Sequence, residues 1–577
     1  MARRKRTAWI VAGLALTLSL GAAAVGIVFL AVKAGWLGGG GSAFGGDVYL
    51  SYDLGGEIAE QPPDGGFGSL FESKRPTVRG IVESLDRGSA DPKVKGALLH
   101  VSGLPGVGWA KAREIRDAVL RFRKSGRPVY AHIEEATNVE YFVASAATKV
   151  YAVPTALIGL TGLSAEVMFF RGTLDKLGVQ AQFVGVGKYK NAPNQYTEKG
   201  FTEPHREQME ALVGGLYDEY ISGLAEARDK TREDMEALVA AGPYDAQRAL
   251  RAGLVDGLLY RDEIDARMGT ATKVAPGRYL KGARGLGFGG SRIALVYVSG
   301  EIVDGRSGSS PLGGSFAGSE TVASAIREAR EDGAVKAIVL RVDSPGGSGT
   351  ASDVIWREVT RARQAKPVVV SMGDYAASGG YYVAMGADEI VAEPGTITGS
   401  IGVFGGKLSY AGLYEKLGLT TATVHRGESA GMFSDSRPWT DEEVARLHSL
   451  LAAFYDTFLA KAAEGRRRTT EDIHAVAQGR VWTGRDALAH GLVDRLGGLD
   501  DAIRSARERA KIPPNEQVSV VVLPSPRTFF ETIMQRPDDE IESRLLTPEL
   551  RALARWARVF GNSGGPVARL PFELSVR

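Results

Sequence analysis

The chain of 577 residues contains no cysteine. That excludes a cysteine nucleophile, disulfide bonds and thiolate metal sites, and it suits an extracytoplasmic protein built without disulfides. Histidine is scarce. His100, His132, His205, His425, His448, His474 and His490 are the whole set, and none stands in a glycine-rich or strand-end setting of the kind a catalytic triad uses. There is no H-E-x-x-H and no phosphate-binding loop, so neither a metal nor a nucleotide cofactor is expected. A basic excess is missing as well: a net charge of +2 gives no reason to expect nucleic acid as a partner. What remains, 44% hydrophobic and 24% charged, is an ordinary globular composition. The length suits about two to four domains.

The N-terminus departs from that average. Arg3, Arg4, Lys5 and Arg6 precede Trp9 to Val32, 24 residues without a charge. That run spans a bilayer core of ~30 Å with some tilt and exceeds the apolar core of a cleavable signal. It predicts a single-pass anchor at residues 1–36 with a cytoplasmic N-terminus and the body outside the cytoplasm. Residues 37–46, with Gly38 to Ser42, form a flexible spacer.

The rest is a duplication. Thr77 to Val101 matches Thr321 to Val342, Tyr141-Phe-Val-Ala144 matches Tyr381-Tyr-Val-Ala384, and Ala249 to Asp256 matches Ala487 to Asp494. The offsets between these pairs shrink from 244 to 240 to 238 residues. Two copies follow, residues 47–275 and 291–512, joined by a linker at 276–290 and followed by an extension at 513–577. Buried strands alternate with amphipathic helices in each copy, as in Ala97–Val101 before Ala110–Lys124 and Ala337–Val342 before Ala351–Gln364, which predicts α/β layers.

Two turns in the second copy carry the chemistry. Lys366 to Ser371 reads as a strand that runs through Asp374-Tyr-Ala-Ala-Ser378-Gly379-Gly380 into a helix. Ser378 at a helix start is either an N-cap or a nucleophile seated where free N–H groups favour an anion. The strand Lys336 to Val342 runs into Asp343-Ser-Pro-Gly346-Gly347, a second turn with exposed N–H groups. With the Gly379 N–H, that turn supplies the two donors an oxyanion hole needs. The first copy has Asn138 opposite Ser378 and Gly103-Leu-Pro-Gly106 opposite the second turn, so it lacks the nucleophile seat.

A serine nucleophile needs a proton acceptor, and a buried neutral lysine can serve. Lys190 ends the strand Ala181 to Val186 in the first copy, and its counterpart in the second is Ala430. One copy keeps the lysine and the other the serine, the pattern a composite site between the halves would leave. Lys188 is the rival lysine. Ser400, opposite Leu160, is either an ordinary loop serine or a residue that orients the Lys190 amine. A decoy, Gly427-Glu-Ser429-Ala-Gly431, fits the nucleophile elbow of an α/β-hydrolase esterase, but no helix can follow it through Pro438. A catalytically inactive scaffold or peptide chaperone is the remaining alternative.

Arg341-Val-Asp-Ser-Pro-Gly-Gly347, Ala376-Ala-Ser-Gly-Gly-Tyr-Tyr382, Thr398-Gly-Ser-Ile-Gly-Val403 and Gly187-Lys-Tyr-Lys-Asn191 occur in order. With them the chain resembles the signal peptide peptidase A family, the long, duplicated, membrane-anchored form within the protease IV group. The resemblance implies tandem ClpP/crotonase-like α/β domains and a serine endopeptidase with a Ser/Lys dyad. By motif position these are Ser378 and Lys190, with Ser400 assisting and Gly347 and Gly379 holding the oxyanion. It also implies signal-peptide remnants and other apolar peptides as substrates, a homotetrameric bowl, and a place in the bacterial inner membrane with the catalytic body periplasmic.

Overall fold

The computed structural model describes residues 46–61, 76–283, 290–309, 314–525 and 567–569. The expected anchor at residues 1–36 lies outside them. No described helix is long and apolar enough to cross a membrane.

In the first repeat, β1 (Val48–Leu54), α1 (Val78–Ala90), β2 (Val94–Val101), α2 (Trp109–Arg123), β3 (Val129–Ala136), α3 (Asn138–Ala144) and β4 (Lys149–Ile158) follow one another. β1 to β4 pair parallel in that order. Parallel neighbours need long crossovers, and the helices supply them. Thr77 caps α1 by accepting from Gly80 N at 3.0 Å. β5 (Gln180–Val186) and the long α4 (Glu203–Arg228) complete the part that matters for the site.

The second repeat runs β6 (Ser291–Ser299), α5 (Ser319–Glu331), β7 (Val335–Ser344), β8 (Gly346–Ser348), α6 (Gly349–Arg363), β9 (Val368–Ala377) and α7 (Gly379–Ala384). It continues with β10 (Glu389–Ala392), β11 (Ile397–Gly399), β12 (Val403–Ser409) and α8 (Asp441–Arg466). β6, β7 and β9 are parallel, and β9 also pairs with β10 and β11. β7 is buried on both faces. Ile338, Leu340 and Val342 enter one apolar cluster and Ala337 and Val339 the other. That explains its unbroken apolar run.

The duplication is visible in matched hydrogen bonds. Tyr141 Oη donates to Leu254 O, and Tyr381 Oη to Leu492 O. Val150 N donates to Asp256 Oδ2 and Ile390 N to Asp494 Oδ2, both at 2.8 Å. α4 and α8 are each 26 residues long and close on a left-handed residue, Asp229 and Arg467.

Two departures from the sequence reading bear on the site. β9 continues to Ala377 rather than stopping at Ser371, because Tyr375, Ala376 and Ala377 pair with Ile397, Thr398 and Gly399. The strand therefore delivers its chain directly to Ser378. β5 belongs to the first repeat in sequence but pairs antiparallel with β12 of the second, from Gln180 opposite Ser409 to Val186 opposite Val403. A short strand, β13 (Val567–Arg569), lies between β8 and β12, antiparallel to both.

A buried charge cluster also ties the repeats. Arg341, fully buried, donates from Nε to Glu60 Oε1 at 2.6 Å and from Nη1 to Glu114 Oε1 at 2.5 Å. Removing one partner of such a pair strands the other charges without water. Arg341→Met is expected to lower the unfolding free energy by ~3–5 kcal/mol, read as a fall in the urea midpoint. An unchanged midpoint would show that the pair is not what holds the repeats.

Candidate active site

Ser378 follows β9 and caps α7 with φ 56° and ψ −113°. A positive φ is uncommon for a residue with a Cβ and is kept where surrounding structure enforces it. The enforcing bonds are Ser378 N to Gly399 O and Tyr382 N to Ser378 O, both 2.8 Å. α7 packs against β8, which brings the Gly347 turn beside the Ser378 turn. A Cβ on Gly380 would stand 2.7 Å from Ser344 O, so the helix start needs glycine to approach this closely. Gly347 has φ 157°, and a Cβ there would meet Ile302 O at 2.0 Å.

The β5–β12 ladder brings Lys190 in from the other repeat. Val186 sits opposite Val403, just past Ser400, and the chain then turns through Gly187 to Lys190. Tyr189 N donates to Gln478 O at 2.9 Å, and a Cβ on Gly187 would lie 2.5 Å from that oxygen. The Lys190 loop is thus docked on residues 478–480 of the second repeat. Arg480 Nη1 and Glu207 hold the Tyr189 hydroxyl.

Lys190 Nζ lies 2.7 Å from Ser378 Oγ, 2.9 Å from Ser400 Oγ and 3.1 Å from Ser400 O. The lysine is 5% exposed and both serines are fully buried. Burial pushes its pKa well below the ordinary lysine value. Lys111, 7% exposed, provides the contrast. Burial lowers its pKa too, but Asp343, Asp374 and Glu60 outweigh that and hold it well above the ordinary value. At similar burial a lysine's pKa is driven up among carboxylates and down among hydroxyls. Lys188 is exposed, with Nζ 4.6 Å from the Tyr189 ring centroid, and its hydrogen bond to Tyr189 raises its pKa. It takes no part in this arrangement.

Composition and motif spacing do not reveal the support beneath the two turns. Lys111 Nζ contacts Asp343 at 2.6 Å and Asp374 at 3.3 Å. Asp343 Oδ1 accepts from Tyr375 N, and Asp374 accepts from Gly108 N and Lys111 N at the start of α2. One lysine of the first repeat therefore pins the segments leading into both second-repeat turns. The only sequence signal is that both aspartates stand just upstream of the glycine turns.

Ser429 lies in an exposed turn beside Arg446 and Glu428, with neither a strand before it nor a helix directly after it. Among the described residues no histidine bonds to Ser378. A cavity of about 370 Å3 opens next to Lys190, lined by Phe183, Asn191, Pro193 and Thr202 among others.

The model of peptidase family S49 matches residues 121–275 and 360–513, one match in each repeat. The chain is 35% identical to the chloroplastic serine protease SPPA of Arabidopsis thaliana, over 84% of this chain and 72% of that one. It is 34% identical to protease 4 of Salmonella typhi, over 75% and 72%. It is 37% identical to a putative signal peptide peptidase SppA of Enterococcus faecium, over 32% and 55%.

Proposed function

Because the chain belongs to peptidase family S49, and is therefore a serine protease that cleaves peptide bonds, we propose that Ser378 is its nucleophile and Lys190 its general base. The observation that carries this is the 2.7 Å approach of a buried, carboxylate-free lysine amine to a strained serine. A neutral amine has two N–H donors and one lone pair. The donors go to Ser400 O and Oγ, and the lone pair accepts the Ser378 proton.

Lys190 takes that proton as Ser378 Oγ attacks the peptide carbonyl. The N–H groups of Gly347 and Gly379 hold the oxyanion. The C–N bond breaks as the Lys190 ammonium protonates the leaving amine. Water, deprotonated by Lys190, then hydrolyses the acyl-enzyme. The substrate adds as an extended strand along β8, in the slot that β13 fills in this structure and would have to vacate.

In this reading each repeat is a ClpP/crotonase-like domain. Residues 9–32 anchor the chain in the bacterial inner membrane with the body outside the cytoplasm, and the chain assembles as a homotetramer. Its substrates are signal-peptide remnants and other apolar peptides. The charge-free run at 9–32 supports the anchor, and the name of the Enterococcus relative supports the substrate class.

A serine-reactive fluorophosphonate is expected to label Ser378 and no other serine. An unlabelled protein, or label on Ser429, would overturn the assignment. Ser400 acts through Lys190 and is a positioning residue. Ser400→Ala is expected to lower kcat by ~10–100-fold, the worth of the one hydrogen bond lost from Oγ while the Ser400 carbonyl contact remains. KM should stay put, and the pH at half-maximal rate should shift. A change confined to KM would place Ser400 in substrate binding instead.

A further inference from the structure

Two of the chain's seven histidines lie against each other. His100 on β2 and His132 on β3 stand directly opposite in the parallel ladder, so their side chains leave the sheet on one face. Their Nδ1 atoms are 3.0 Å apart, and the ring planes meet at 15°. Both residues are buried, at 7% and 1% exposure. Leu98 and Tyr130, two residues earlier on the same strands, pack in one apolar cluster, so the rings border a dry region. Glu134 lies two residues beyond His132 and is exposed, with Oε1 3.6 Å from His100 Nε2. Each of the three residues offers a ligand atom within 4.8 Å of the other two.

The second repeat shows what this place in the sheet accommodates. β7 and β9 are the counterparts of β2 and β3, and Arg341 stands opposite Ser371 as His100 stands opposite His132. The Arg341 guanidinium is a fully buried cation held by Glu60, Glu114 and Ser371 Oγ. In the first repeat the guanidinium is replaced by two imidazoles with a carboxylate beside them. That donor set binds a cation rather than supplying one.

We infer that His100, His132 and Glu134 form a binding site for one divalent transition-metal ion of the zinc class. Nδ1 of each histidine and a carboxylate oxygen of Glu134 are the protein ligands, and water completes a tetrahedral set. Zn–N bonds of ~2.0–2.1 Å at the tetrahedral angle separate two nitrogens by ~3.3–3.4 Å, so the pair has to open by only about 0.3–0.4 Å. Glu134 moves furthest, and its exposed side chain is free to do so. Imidazole nitrogen selects zinc over magnesium and calcium, which take oxygen ligands. The missing H-E-x-x-H argues against a catalytic zinc held on one helix, not against ligands from two neighbouring strands. The ion's work is mechanical: it ties β2 to β3 ahead of Asn138, in the repeat that has no serine at that position. None of this depends on the roles proposed for Ser378 and Lys190.

Full-length protein in mild detergent, prepared without a histidine tag and stripped with EDTA, would be titrated with ZnCl2 by calorimetry and with CoCl2 by visible absorption. Wild type is expected to take up one ion per chain and to show the visible bands of tetrahedral Co2+. Glu134→Gln changes an exposed side chain and leaves the fold intact, and it is expected to weaken Zn2+ binding by ~10-fold or more, since even partners outside the ligand set cost that much. His100→Gln and His132→Gln should abolish uptake, while His425→Gln and His448→Gln should match wild type. Zn2+ should raise the thermal midpoint of wild type and leave that of His132→Gln unmoved. No uptake by wild type, or uptake that survives unchanged in Glu134→Gln and His100→Gln, would overturn the site and leave the two imidazoles as a hydrogen-bonded pair.

Discussion

Ser378→Ala is expected to abolish peptide hydrolysis, with kcat falling by ~10^4–10^6-fold, the range for deletion of a serine nucleophile. The fold should survive. The backbone bonds that hold Ser378 at φ 56° do not involve Oγ, and Lys190 keeps both contacts to Ser400. The measurement is turnover of an apolar fluorogenic peptide, with particle mass and thermal melt as controls. Ser429→Ala should match wild type. The assignment fails if Ser378→Ala remains active while Ser429→Ala is dead.

Lys190 carries the second large effect. Lys190→Ala is expected to lose ~10^4-fold or more in kcat, with Lys188→Ala near wild type. The pH dependence separates a base from a packing residue. On the proposed mechanism the neutral amine is the active form, and burial depresses its pKa. Activity therefore rises as pH climbs through that depressed value and levels off above it. A flat profile between about pH 6 and 9 would count against a lysine base. Stability follows the same sign. Between the depressed folded value and ~10.4 for an unfolded lysine, the unfolded chain binds more protons, so stability rises with pH across that window. Lys190→Met removes that slope and should be inactive yet at least as stable at the acid end. An inactive variant that is also less stable there would point to a structural role.

The proposed site stands out in the sequence because the duplication works as an internal control. Ser378, Lys190 and Ser400 stand opposite Asn138, Ala430 and Leu160, none of which could do the task proposed for them, so comparing the halves isolates them. The same comparison could not reveal Lys111. A lysine in an amphipathic helix reads as a solvated side chain, and its burial depends on Asp343 and Asp374, more than two hundred residues away. The docking of Lys190 on residues 478–480 was hidden for the same reason. The length of β9 was missed because Gly373 and Asp374 are poor strand formers. Pairing with β11 extends the strand past them, a tertiary effect that local propensity does not contain.

The antiparallel ladder between β5 and β12 sets an order of events during synthesis. The lysine leaves the ribosome first, and the serine follows 188 residues later. At ~5–20 residues per second, the growing chain spends roughly 10–40 s with a general base and nothing to activate. β12 must then be made before β5 has a partner and the amine a dry seat. On the proposed assignment, the protease acquires activity only when its second half closes on its first.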